Sequence, residues 1–190
     1  MFVLQNFKGI QYRLADNWFN TINVNDYKNK PINYLEIGAL YGANIISVGL
    51  TYGLHAESKL YCIDPWEDYN EYNEYKNEQP QIYNTFTENI KNSGIQDKII
   101  INRGYSNKEI NKFDDGFFDI IYIDGNHESY YVLEDAVYSF RKLKENGIII
   151  FDDYRWDGVK KGIDAFLLVY SEKIQFLGLV EDQFFIKKLN

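Results

Sequence analysis

Tyr34-Leu35-Glu36-Ile37-Gly38-Ala39-Leu40-Tyr41-Gly42-Ala43-Asn44 is a short apolar run that breaks into two glycines four residues apart. Residues 34–37 read as a buried strand, and a helix is expected over 44–54. The glycines permit a tight turn and close approach of the backbone to a ligand. A pyrophosphate-binding turn of the form G-x-G-x-x-G needs a third glycine at the helix start, which this stretch lacks. Glu36, two residues before the first glycine, would repel a pyrophosphate and attract an ammonium group.

Further strand-like runs lie at 60–63, 98–102, 118–123 and 148–151, each short and rich in β-formers. Helical patterns separate them, so the strands are expected to be parallel, with their carboxyl ends on one edge, where open α/β sheets bind ligands. Acids collect on that edge: Glu36, Asp64, Asp124 and the pair Asp152-Asp153. Carboxylates without partners are costly in a sheet interior, so the row points to a polyhydroxylated or cationic ligand, a metal ion, or both. A helix at 81–93 precedes the third strand. After the fourth, Leu133, Ala136, Val137, Phe140 and Leu143 share a helical face, with Ser129 as N-cap and Gly147 as C-terminal cap. A last helix carries Val159, Ile163, Phe166, Leu167 and Tyr170 on one stripe. Runs at 174–180 and 184–188 are joined by only Glu181-Asp182-Gln183, which allows an antiparallel hairpin but no helical crossover. The expected fold is a doubly wound α/β sheet of seven strands, mixed through that C-terminal hairpin.

A chain of 190 residues without repeat or linker fits one domain. Its formal net charge of −8 argues against wide contact with nucleic-acid phosphates. The lone cysteine, Cys62, lies within a strand run, where it serves as a small buried hydrophobe and forms no internal disulfide. The first residues show neither a basic n-region nor a long apolar stretch, and no run of about 18 apolar residues occurs. A cytoplasmic location with no membrane association is expected. Trp18 and Phe19 are expected to anchor a short helix or lid within residues 1–30. Residues 67–80 alternate polar and aromatic, as either a solvated loop or a lid over the binding edge.

The acid and glycines after the first strand, the acid ending the second and the late hairpin together resemble the class I S-adenosylmethionine-dependent methyltransferases, over roughly residues 30–190. Tyr122-Ile123-Asp124-Gly125-Asn126-His127 and Ile150-Phe151-Asp152-Asp153-Tyr154 resemble the metal-dependent O-methyltransferase branch, which includes the catechol and macrocin enzymes. The resemblance implies a Rossmann-like fold and methyl transfer to a hydroxyl of a sugar, other polyol or phenol. It implies that Gly38, Leu40, Gly42 and Asn44 hold the methionine part of S-adenosylmethionine, with Glu36 supporting the loop and Asp64 binding the ribose. Tyr105 and Ser106 would line the adenine, and Trp66 would stack on it or wall the acceptor pocket. Asp124, which borders the cofactor, would bind a divalent metal ion, magnesium foremost, together with Asp152 and Asp153, and His127 would be the catalytic base.

Three carboxylates without cysteine suit Mg²⁺, Mn²⁺ or Ca²⁺ on chemical grounds as well. Plainer readings stand beside these: Asp64 as a turn residue before Pro65, Asp152 or Asp153 as a cap or a partner of Arg155, His127 as a loop residue. The alternatives for function are a metal-independent or nitrogen-directed methyltransferase, a nicotinamide-dependent oxidoreductase, and a non-catalytic binding module. Related sugar enzymes have longer N-terminal regions. Acceptor choice is therefore expected to rest on the first 30 residues, on 67–80, or on a neighbouring subunit of a homo-oligomer.

Overall fold

Seven strands form one sheet in the computed structural model, which describes residues 7–10, 14–69, 71 and 73–190. Strands β1 (Asn33–Ile37), β2 (Lys59–Asp64), β3 (Ile99–Arg103), β4 (Phe118–Ile123) and β5 (Leu143–Phe151) are mutually parallel. The last two, β6 (Ile174–Val180) and β7 (Gln183–Lys188), form the expected hairpin, and β7 pairs antiparallel with β5. The order is β3-β2-β1-β4-β5-β7-β6. The chain leaves β1 toward one side and returns to its other flank with β4, so the switch point falls between β1 and β4. Such a crevice, at the carboxyl ends of the strands, is where open α/β sheets take ligands.

The sheet is covered on both faces, as parallel strands require. Helices α1 (Ala43–Gly49) and α2 (Gln79–Ser93) pack Ile45, Ile46, Val48, Ile82 and Phe86 against Tyr34, Leu60, Cys62 and Tyr122. After the four-residue α3 (Ser106–Glu109), α4 (Ser129–Lys142) and α5 (Asp157–Tyr170) cover the opposite face. There Val132, Ala136, Phe140, Val159, Ile163 and Phe166 meet Leu35, Ile37, Ile121 and Ile149. Among the described residues, no helix is long and apolar enough to cross a membrane.

Four local expectations are corrected. Helix α1 stops at Gly49 rather than reaching residue 54. A Cβ at Gly49 would lie 2.2 Å from Ile95 Cδ1, so packing demands the glycine there, and glycine weakens a helix. Gly147 caps nothing: α4 ends at Lys142, the chain passes directly into β5, and Gly147 lies inside that strand. Leu143 is accordingly a strand residue, and the buried stripe of α4 is Val132, Asp135, Ala136, Ser139 and Phe140. Ser129 is the first residue of α4, and Glu128 takes the N-cap position.

Trp18 lies in a 3-10 helix (Leu14–Asn20) but is fully buried, with its ring 5.6 Å from Tyr52 and 5.7 Å from Tyr122. It belongs to the core. Of the expected N-terminal lid, residues 1–6 and 11–13 lie outside the described residues, as do Asn70 and Tyr72 of the 67–80 stretch.

Candidate active site

Gly38 leaves β1 at φ +82° and donates its N–H to Ile63 O at 2.9 Å. Leu40 (φ +44°) and Gly42 (φ +86°) continue the same turn, and Gly42 caps α1 in the left-handed conformation. Asp64, at the end of β2, clamps this loop. Its Oδ2 accepts from Ala39 N (2.9 Å) and Leu40 N (3.1 Å), and its Oδ1 accepts from Trp66 N (2.8 Å). A carboxylate has about four acceptor positions, so about one remains for a ligand hydroxyl. The plain turn reading of Asp64 is thus too weak: it shapes the glycine loop across two strands.

Glu36 is 1% exposed beneath the loop. It accepts from Tyr34 Oη (2.7 Å) and Asn44 Nδ2 (3.0 Å), and Asn44 Nδ2 also donates to Tyr34 Oη (2.7 Å). Burial pushes the Glu36 carboxyl up to about 8, against the hydrogen bonds from Tyr34 and Asn44 that pull it down. Asn44 Oδ1 is buried without a hydrogen-bond partner. A buried carboxyl beside an orphaned acceptor suits a cationic donor such as an ammonium group.

Trp66 corrects the sequence reading. It is 2% exposed, donates Nε1–H to Leu40 O (3.1 Å), and packs its ring 4.9 Å from Tyr83 and 4.8 Å from Phe86. With its faces committed to the core, it supports the loop from below rather than offering a stacking surface. Tyr105 is half exposed, and its hydroxyl donates to Glu67 Oε2 (2.8 Å). Ser106 bonds the buried Asp135 of α4, whose carboxyl burial raises to about 7 against that bond.

At the acidic end of the crevice, the structure gathers two of the three expected metal ligands and adds a histidine. Among the described residues, Asp124, His127 and Asp153 each offer a ligand atom within 4.8 Å of the others. His127 Nε2 is 3.0 Å from Asp153 Oδ2 and 3.7 Å from Asp124 Oδ1. Asp152 lines the same cavity but lies outside that group. It accepts a short hydrogen bond from the Tyr122 hydroxyl, which in turn accepts from Gln183 Nε2 (3.1 Å), while Gln183 Oε1 accepts from Trp18 Nε1 (2.8 Å). This buried chain engages the Asp152 carboxyl from the core side, a partner no local sequence pattern announces. Burial raises the pKa of both Asp124 and Asp152.

The plain loop reading of His127 does not describe its surroundings. Its ring lies 4.8 Å from the half-exposed Trp156, and its Nδ1 is 3.0 Å from Glu71 Oε1. Burial draws the imidazole pKa down, but hydrogen bonds to Asp124, Asp153 and Glu71 outweigh it and push it up to about 11. Arg155 engages Asp182, through its backbone N at 2.8 Å and more distantly through Nε at 4.0 Å, rather than pairing with Asp152 or Asp153.

Fold and site together define a Rossmann-like methyltransferase architecture. The methyltransferase-domain family matches residues 35–154, more than half of the chain, and the chain belongs to that family. It is a methyltransferase, which leaves the nicotinamide oxidoreductase without support. No curated protein sequence matches it significantly. Its fold is similar to that of the O-methyltransferase TomG from Streptomyces achromogenes in complex with SAM (TM-score 0.70, 11% identity, 96% of this chain and 83% of that one). An O-methyltransferase from Bacillus cereus in complex with SAH is also similar (TM-score 0.68, 17% identity, 98% and 86%). A putative caffeoyl-CoA O-methyltransferase from Staphylococcus aureus matches with TM-score 0.65 at 19% identity over 95% and 85%.

Proposed function

We propose that the chain, acting as one domain, transfers the methyl group of S-adenosylmethionine to a hydroxyl of a small sugar, polyol or phenol. One observation carries this reading: the Gly38–Asn44 turn, its Asp64 clamp and the cluster of Asp124, His127 and Asp153 converge on the β1–β4 switch point. Glu36, Asn44 and the backbone from Gly38 to Gly42 would hold the methionine end of the cofactor. Asp64 would give its remaining acceptor position to the ribose. Tyr105 and Ser106 would wall the adenine, where the neighbouring Asn107 Oδ1 is another buried acceptor without a partner. Bound there, the sulfonium supplies an already electrophilic methyl group, and the protein supplies alignment.

Asp124 and Asp153 fit a divalent cation, which when bound would lower the pKa of an acceptor hydroxyl. Magnesium and manganese both take such carboxylate oxygens, and His127 Nε2 stays outside the ligand set so that it can take a proton. In the transfer, the acceptor oxygen bonds to the methyl carbon as the S–CH3 bond breaks and its electron pair stays on sulfur. The hydroxyl proton passes to His127 Nε2. A nitrogen that keeps its proton to about pH 11 accepts none at neutrality, so the role of base requires that Asp124 and Asp153 pair with another cation. The metal and the base are thus one hypothesis. Transfer without metal is the second reading, favoured by His127 itself, whose ring lies between the two carboxylates and, when protonated, offsets part of their charge.

Turnover is measured as release of the demethylated cofactor with catechol or a polyol as acceptor. His127→Ala should lower kcat by about 10²–10⁴ and leave cofactor affinity unchanged. A loss under about threefold would remove the base role. Full activity in EDTA would select the metal-free reading.

A further inference from the structure

Glu71 comes from the polar and aromatic stretch that follows β2, yet it reaches 56 residues along the chain to His127. One carboxylate takes two donors from the same residue. Its Oε1 accepts from His127 N at 3.1 Å and lies 3.0 Å from Nδ1. Both side chains are largely enclosed, Glu71 at 15% exposure and His127 at 11%. The stretch that delivers Glu71 is closed at its base, where Asn77 N donates to Asp68 Oδ1 at 2.8 Å.

His127 needs such a hold. It lies between β4 and α4, where no helix or strand fixes its backbone. Trp156 packs against the ring, and a half-turn about the Cβ–Cγ bond would put Cε1 where Nε2 now faces the acids. A carboxylate on Nδ1–H, anchored also on the backbone N–H, selects one orientation and leaves Nε2 directed at Asp153 and Asp124.

We propose that Glu71 is a positioning residue that fixes the His127 ring, so that the segment after β2 and the proton-accepting Nε2 are set in place together. The proposal rests on His127 as the proton acceptor. It gives the 67–80 stretch a task that its sequence does not reveal: it completes the acidic end of the site rather than only covering it.

The test separates the two claims. The chain has only two histidines, so a His55→Gln variant assigns the imidazole signals without ambiguity. The intact protein should show a slowly exchanging, low-field proton on His127 Nδ1, and Glu71→Ala should abolish it while the thermal midpoint barely moves. With catechol as acceptor, Glu71→Ala should lower kcat about tenfold at unchanged cofactor affinity. In a His127→Ala background, the same substitution should change kcat by less than about twofold, because the two residues act as a unit. A low-field signal that persists in Glu71→Ala, or equal losses in both backgrounds, would overturn the proposal. If instead the signal vanishes but His127→Ala leaves turnover intact, the tether stands and the base reading alone falls.

Discussion

Gly38 and Asp124 approach so closely that a Cβ on Gly38 would lie 1.8 Å from the Asp124 carbonyl oxygen. The contact joins the end of β1 to the end of β4 across the switch point, and it locks the glycine loop to the acidic cluster. Gly38→Ala would meet both that backbone oxygen and a φ of +82°. It should cost more than about 2 kcal/mol in chemical denaturation and abolish cofactor binding. Gly116→Ala is the control, since φ is +68° there but the space is open. It should cost only about 1 kcal/mol. Equal costs at the two positions would show that the β1–β4 contact is slack.

Glu36 gives the fold a pH dependence of definite sign. Burial holds its carboxyl near 8, above the ordinary 4.5. Between those values the unfolded chain ionises while the folded chain keeps its proton, so stability falls as pH rises through that window. Glu36→Gln removes the effect. The stability of the variant relative to the parent, measured by denaturation from about pH 5 to about pH 8, should therefore increase with pH. A flat difference would mean that Glu36 is ionised in the folded protein.

The strand ends were legible because parallel, doubly covered strands are short apolar runs, and the residue that ends each run is forced onto the binding edge. Glu36 lies inside β1, whereas Asp64, which ends β2, and Asp124, which follows β4, could be placed in that way. Trp66 could not, since a tryptophan after a strand looks the same whether it faces a pocket or, as here, Tyr83 and Phe86. The hydrogen bond that Asp152 takes from Tyr122, itself bonded to Gln183, could not be read, since both partners lie far away in sequence. Gly147 looked like a helix cap because sequence does not reveal that α4 runs directly into β5. Glu71 was one acid among several in the stretch after β2, and only the tertiary fold brings it to His127.

The hydrogen bond from Tyr122 to Asp152 predicts an order among the acids. Millimolar Mn²⁺ should raise the thermal midpoint by linkage. Asp124→Asn and Asp153→Asn should abolish that rise, while Asp152→Asn, whose side chain engages Tyr122, should keep most of it. Should Asp152→Asn abolish the rise as completely as Asp153→Asn, the carboxyl turns into the site when the ion binds, and the ligand set expected from sequence is restored.

Calorimetric titration with S-adenosylmethionine tests the central claim most directly. The account predicts binding in the micromolar range. It also predicts that Asp64→Ala, which removes the clamp on Ala39 and Leu40 together with the ribose acceptor, weakens that binding by about 1.5–3 kcal/mol. A folded protein that takes up no S-adenosylmethionine at millimolar concentration, or that binds it equally well without the Asp64 carboxylate, would contradict the account.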